Sequence, residues 1–195
     1  MPDLATGAAP RNRRQEETFR RVLTAGVEVL RETSYTGVTV RAVAARARIA
    51  PATAYTYFSS KNHLIAEVYL DLVRQVPYFT DVNEQMPARV EKTLRHLALV
   101  VADEPQVAAA CTTALLGGGG DPAVRRVRDR IGAEIHRRIA SAIGPGADPR
   151  TVAALEMTFF GALVNAASGA LTYHQIADRL GYVSALILPG DTQRR

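Results

Sequence analysis

A chain of 195 residues with 47% hydrophobic and 22% charged residues carries enough apolar mass for one or two packed units, which excludes a disordered polymer. Its net charge of +5 is unevenly placed: residues 1–62 hold ten Arg/Lys against five Asp/Glu, while the remainder holds fourteen of each sign. A basic front on a neutral body is the balance expected of a chain whose front meets a polyanion.

Residues 1–12, rich in Pro, Gly, Ala and Asn, have no apolar run of signal-peptide type and are expected to form a loose basic arm. Phe19, Val22, Leu23, Gly26, Val27 and Leu30 then recur at helical spacing, which predicts a first helix from about Arg13 to Thr33. Ser34-Tyr35-Thr36-Gly37 breaks it. Thr39 is placed to cap a short second helix that reaches about Ala47 and buries Val43 and Ala44. Pro51 stands where a first helical residue belongs, so a third helix runs to about Phe58. Ser59 or Ser60 caps a fourth, from Lys61 to about Gln75, with Leu64, Ile65, Val68 and Leu72 inward and Pro77 as its stop.

One helix follows Pro87 with Val90, Leu94, Leu97 and Val101 aligned, and another follows Pro105 and ends at the glycines 117–120. Asp121-Pro122 opens a helix with Val124, Val127, Ile131, Ile135 and Ile139 on one face, interrupted by Gly144-Pro145-Gly146. Asp148-Pro149 opens a long apolar helix, and Thr172 with Gln175 forms a capping box for a last helix through Leu188. No strand-like alternation appears. The chain reads as all α, about nine helices, with a three-helix front at 13–60, a helical body at 61–188 and a tail at 189–195. The stretch 153–171 is apolar over a bilayer's thickness. It contains Glu156 and Asn165, however, and an acidic residue at a bilayer centre costs roughly 2.5–3.5 kcal/mol. A buried helix of a soluble protein, with no membrane partner, is therefore expected.

The chemistry concentrates between Thr39 and Lys61, which reads as two short helices joined by a tight turn. Val43, Ala44, Ala47, Ile49, Ala54 and Phe58 can form the packed inside, leaving Pro51, Ala52, Thr53, Tyr55, Thr56 and Tyr57 outside. That is the layout of a helix-turn-helix whose second helix enters a DNA groove. Small residues let the backbone approach, threonine methyls suit thymine methyls, and tyrosine hydroxyls suit phosphate oxygens. Lys61 and the start of the fourth helix add positive charge.

As a combination, the first-helix stripe, Thr39-Val40-Arg41-Ala42-Val43-Ala44, Thr53-Ala54-Tyr55-Thr56-Tyr57-Phe58, Ser60-Lys61 and Leu64 resemble the TetR family of one-component transcriptional regulators, over about Arg13 to Leu72. The resemblance implies that Pro51, Ala52, Thr53, Tyr55, Thr56 and Tyr57 face the groove of a double-stranded operator, with Thr39, Arg41 and Lys61 on phosphates. Tyr57 packed against the first helix, and Arg41 merely solvated, are the alternatives. The arm residues Arg11, Arg13 and Arg14 either enter a minor groove or form an unbound tail. Two positions depart from the family pattern. Arg48 replaces the usual turn glycine, adding a phosphate contact or straining the turn, and Ala50 replaces the usual Ser/Thr cap.

The resemblance also implies an effector pocket in the body and a homodimer through the last two helices. Candidate pocket residues are Tyr78, Phe79, Met86, Leu97, Cys111, Leu115, Met157 and Phe160, each of which also reads as plain core. Asn165, in an apolar helix, wants a partner in the dimer or on a ligand. Phe159, Phe160 and Leu163, with Ile176, Leu180, Val183 and Ile187 on the last helix, offer more apolar surface than one neighbour buries. A pocket of such residues favours a lipophilic effector. Arg125, Arg126 and Arg128 either meet an acidic ligand such as an acyl-CoA or form a solvated basic face.

An enzyme is not expected, because no Gly-x-Ser-x-Gly elbow or His-Glu-x-x-His pair occurs and no Lys-Ser/Thr follows the glycines 117–120. His63, His96, His136 and His174 lack metal-ligand spacing, and neither cofactor nor metal is expected. Cys111, the lone cysteine, excludes an intrachain disulfide and favours a cytoplasmic setting. The expected function is a sequence-specific regulator, a repressor released from a palindromic operator by a lipophilic molecule. The alternative is a degenerate helical module that has lost DNA binding, which Arg48 and Ala50 favour.

Overall fold

Helix starts are set by local capping. In the computed structural model, which describes residues 13–117 and 120–188, the chain runs α1 (Arg13–Glu32), α2 (Val40–Arg46), α3 (Pro51–Tyr57), α4 (Lys61–Gln75) and α5 (Met86–Leu99). It continues α6 (Pro105–Gly117), α7 (Pro122–Ile143), α8 (Pro149–Ala167) and α9 (Tyr173–Ile187), with no strand among the described residues. The expected arm at 1–12 and tail at 189–195 lie outside the described residues.

Thr39 Oγ1 accepts from the Ala42 N–H at 3.0 Å, and Ser60, not Ser59, caps α4 by accepting from the His63 N–H at 3.1 Å. Asp121 caps α7 through the Ala123 N–H at 2.8 Å, and Thr172 and Gln175 cap α9 reciprocally at 3.1 and 2.9 Å. Each supplies an acceptor to an N–H that the helix itself leaves unpaired.

One continuous apolar cluster runs from Phe19 to Leu188. α1 packs on α2 and α4, α2 on α3, α4 on α6 and α7, and α5 on α7 and α9. A Cβ at Gly26 would sit 3.0 Å from Val68 Cγ2, so glycine is what lets α1 come this close to α4. The predicted α7 stripe is buried throughout, whereas on α1 Ala25 and Val29 are buried and Val27 only partly.

The body has a polar node. Arg138, 2% exposed, donates to the carbonyls of Val76 and Arg74 at 3.0 and 2.9 Å, satisfying the end of α4. It also pairs with Glu134, which Arg137 contacts from the surface. Burial alone raises the Glu134 carboxyl, but the hydrogen bonds from Arg138 and Arg137 outweigh it and hold it below the usual range.

Within the single chain α8 is buried along one side only. Val152, Leu155 and Phe159 are buried, while Met157, Phe160 and Val164 are exposed, as are Tyr182 and Leu186 of α9. Asn165 is exposed, and its amide donates to the Gly161 carbonyl of its own helix at 2.8 Å. No helix among the described residues is long and apolar enough to cross a membrane.

Candidate DNA interface and interior cavity

The turn between α2 and α3 closes as a Schellman motif. The Arg48 N–H donates to the Ala45 carbonyl at 3.1 Å, and the Ile49 N–H to the Ala44 carbonyl at 3.0 Å. Arg48 occupies the left-handed position at φ 54°, the only non-glycine residue with positive φ among those described. Arg48 is exposed, so this arginine both strains the turn and presents a charge beside α3. Ala50 precedes α3 without a side-chain cap, and Pro51 occupies the first turn.

Ala54 and Phe58 anchor α3, with the Phe58 ring stacked on Phe19 at 5.3 Å. Pro51, Ala52, Thr53, Tyr55 and Thr56 are left exposed, and the Thr56 hydroxyl donates to the Thr53 carbonyl at 2.7 Å. Tyr57 departs from its expected groove-facing place. It shares a face with Ala54 and Phe58 at helical spacing, is half-buried, and packs edge-on against Phe19 at 6.0 Å.

Charges around α2 and α3 divide into engaged and open. Arg46 pairs with Glu28 and Glu32 of α1 at 3.3 and 2.5 Å, clamping α2 to α1 and holding the Glu32 carboxyl below its ordinary range. Arg31 pairs with Glu104 at 2.6 Å. Lys61, expected on a phosphate, instead donates to the Tyr35 carbonyl at 3.1 Å and lies 4.0 Å over the Tyr35 ring, because the chain before α2 folds back onto the start of α4. Thr39 is exposed, though its hydroxyl already caps α2. Arg41 and Arg48 are exposed and have no carboxylate partner among the described residues.

The start of α4 is tied to the body beside this surface. Ser60 Oγ donates to Asp121 Oδ2 at 2.8 Å, so two helix caps join, and the Ser60 and Ala123 hydrogen bonds hold the Asp121 carboxyl low. Two turns on, Glu67 accepts from Arg130 at 2.6 Å and faces His63 Nε2 at 3.7 Å.

A half-open cavity of about 330 Å³ lies between helices of the body, with the exposed Leu116 and Val164 at its rim. Ala108, Cys111, Thr112 and Leu115 of α6 form one wall, and Ile131, Ile135 and Arg128 of α7 another. Phe160, Leu163, Val164 and Ala167 of α8 face them, and Tyr69 of α4, Val101, Leu116 and Tyr173 at the start of α9 also line it. Burial pushes the Cys111 thiol up to about 12 and raises the Tyr69 and Tyr173 hydroxyls, so all three stay neutral.

Of the residues expected around a pocket, the fold brings together Cys111, Leu115 and Phe160. The others lie elsewhere. Tyr78 covers Arg138 at 4.6 Å, and Phe79 meets His96 at 4.7 Å, both beyond the end of α4. Leu97 is fully buried core, Met86 is half-buried at the start of α5, and Met157 and Asn165 point outward from α8. A helix face is legible in sequence, but which neighbour it meets is not. Tyr69, Ile131, Ile135, Leu163 and Tyr173 were not anticipated as lining. Arg128 carried a usable signal: it lies four residues after Val124 and three before Ile131, inside the apolar stripe of α7. Arg125 and Arg126 are exposed, and of the three arginines Arg128 is the one that lines the cavity.

Among the described residues no three His, Cys, Asp or Glu side chains gather to hold a metal. Residues 22–68 match the family model described as bacterial regulatory proteins, tetR family. The chain is 76% identical over 183 residues to an uncharacterised HTH-type transcriptional regulator of Mycobacterium tuberculosis, covering 94% of this chain and 86% of that protein. Its fold matches a TetR transcriptional regulator from Rhodococcus sp. RHA1 at a TM-score of 0.76 and 20% identity, over 90% of this chain and 97% of that one. It also matches the fatty acid degradation regulator FadR from Bacillus halodurans at a TM-score of 0.64 and 13% identity, over 88% and 100% respectively. At those identities the two structures speak for the fold alone. With a helix-turn-helix front, an all-helical body and a relative this similar, the chain belongs to the TetR family and is a transcriptional regulator, not an enzyme.

Proposed function

We propose that this regulator is a cytoplasmic repressor that binds a palindromic operator as a homodimer and releases it when a lipophilic small molecule fills the cavity. The observation that carries the reading is the position of Tyr69: it lines the cavity on the same helix whose first turn is tied to Asp121 and follows directly on α3. Tyr69 lies nine residues from Ser60, roughly 13 Å along α4 at 1.5 Å per residue. A ligand that displaces Tyr69 therefore tilts the helix on which the DNA-reading unit is mounted. Moving the population from 99:1 to 1:99 requires roughly 10⁴-fold preference of the ligand for the released state.

Pro51, Ala52, Thr53, Tyr55 and Thr56 supply the groove contacts in this reading, and Thr39, Arg41 and Arg48 the phosphate contacts. Met157 of α8 with Tyr182 and Leu186 of α9, large apolar side chains left exposed in the single chain, form the dimer face in this reading, with Phe160 and Val164, which also line the cavity, at its edge. Two copies then set two α3 helices about one turn of DNA apart. The name of the Bacillus halodurans neighbour, a fatty acid degradation regulator, agrees with a lipophilic effector. An acyl-CoA is one compound of that class.

The test is selection of bound fragments from genomic DNA, followed by titration of the enriched duplex at several salt concentrations. A palindrome should emerge, with affinity falling steeply as salt rises. Absence of any enriched palindrome, or a flat salt response, would remove DNA binding and favour the degenerate module.

A further inference from the structure

We propose that the effector is a lipophilic anion whose charged head is received by Arg128; the inference rests on the cavity being the effector chamber. Arg128 is half-buried in a wall that is otherwise apolar or neutral, and no acidic side chain lines the cavity. Its described hydrogen bond is a single one, from Nη1 to the Leu115 carbonyl at 3.2 Å. A guanidinium carries five N–H donors, so most of this fork has no acceptor among the described residues.

Two other arginines of the same helix are matched by carboxylates. Arg130 is matched by Glu67 at 2.6 Å, and Arg138 by Glu134 and two carbonyls. Arg128 alone of these three faces the cavity and lacks a carboxylate. A cation held against apolar surface without a counter-charge is unfavourable, and a planar anion docking on the fork relieves it. Arg125, exposed one turn earlier on α7, adds charge of the same sign. Ile131, Ile135 and Leu163 are left to enclose the apolar part. A carboxylate on a hydrocarbon body has the right form, with Thr112 and Tyr173 as neutral hydroxyls nearby.

Calorimetric titration of the purified full chain with dodecanoate and with dodecan-1-ol, both below micelle formation, tests this. Dodecanoate should bind at least about tenfold more tightly, as expected for a charge-assisted hydrogen bond. In Arg128→Met that preference should fall to within about twofold while the affinity for the alcohol is kept, and Arg128→Lys should retain part of it. Arg128→Gln serves as the neutral variant if methionine unfolds the chain. Equal binding of acid and alcohol by the unaltered protein, or an acid preference surviving in the neutral variant, overturns the assignment while leaving the cavity reading intact. Binding of neither probe overturns the cavity reading and this inference with it.

Discussion

Arg48 offers a direct test of how the DNA-reading turn is built. A residue with a Cβ held at φ 54° loses roughly 1–2 kcal/mol relative to right-handed backbone, and glycine escapes that loss. Glycine also loosens the unfolded chain by roughly 0.5–1 kcal/mol, which offsets part of the gain. Arg48→Gly should therefore stabilise the protein by about 0.5–1 kcal/mol, raising the thermal midpoint by roughly 1–4 °C for a chain of this size. Arg48→Ala keeps the strained conformation and should leave the midpoint nearly unchanged. Both variants remove one exposed positive charge beside α3 from each subunit, so both should lower the slope of log affinity against log salt by roughly 1.8 per operator-bound dimer. Thermal melts at one fixed protein concentration, since a dimer's midpoint depends on it, combined with anisotropy titrations, separate strain from charge. If Arg48→Gly proves no more stable than Arg48→Ala, the strain argument fails. An unchanged salt slope in both would remove Arg48 from the phosphate-contacting set.

Ala50→Ser should add about 0.5–1 kcal/mol by capping α3, read as a higher denaturation midpoint, because no side chain performs that task now. Arg138→Met should destabilise the protein by about 1–3 kcal/mol, because it leaves Glu134 with the surface Arg137 alone and the Val76 and Arg74 carbonyls without their donor, and adding Glu134→Gln should recover part of the loss; equal midpoints for the single and double variants would discount the ion pair. Acid should destabilise the protein through Glu134, whose folded carboxyl titrates below its unfolded value. The stabilisation is complete above the unfolded value and disappears as pH falls through the lower folded one, so midpoints measured downward from pH 5 should drop less steeply in Arg138→Met.

Helix positions were readable from the chain alone because the forces that set them are local. Thr39, Ser60, Asp121 and Thr172 with Gln175 each satisfy an N–H within three residues, and the α7 stripe from Val124 to Ile139 repeats at the helical period. The TetR-like motif lies wholly within such local signals, so class and fold were legible before any packing was known. Partner choice was not, since it joins residues far apart in sequence. Phe19 claims Tyr57, Tyr35 claims Lys61, and Glu67 takes Arg130 while Arg128, two residues away, is left facing a cavity. Periodicity says that a helix has an apolar side. Only the packing of α4, α6, α7 and α8 around one another decides whether that side meets core, void or solvent, because burial is a property of neighbours and not of the residue itself.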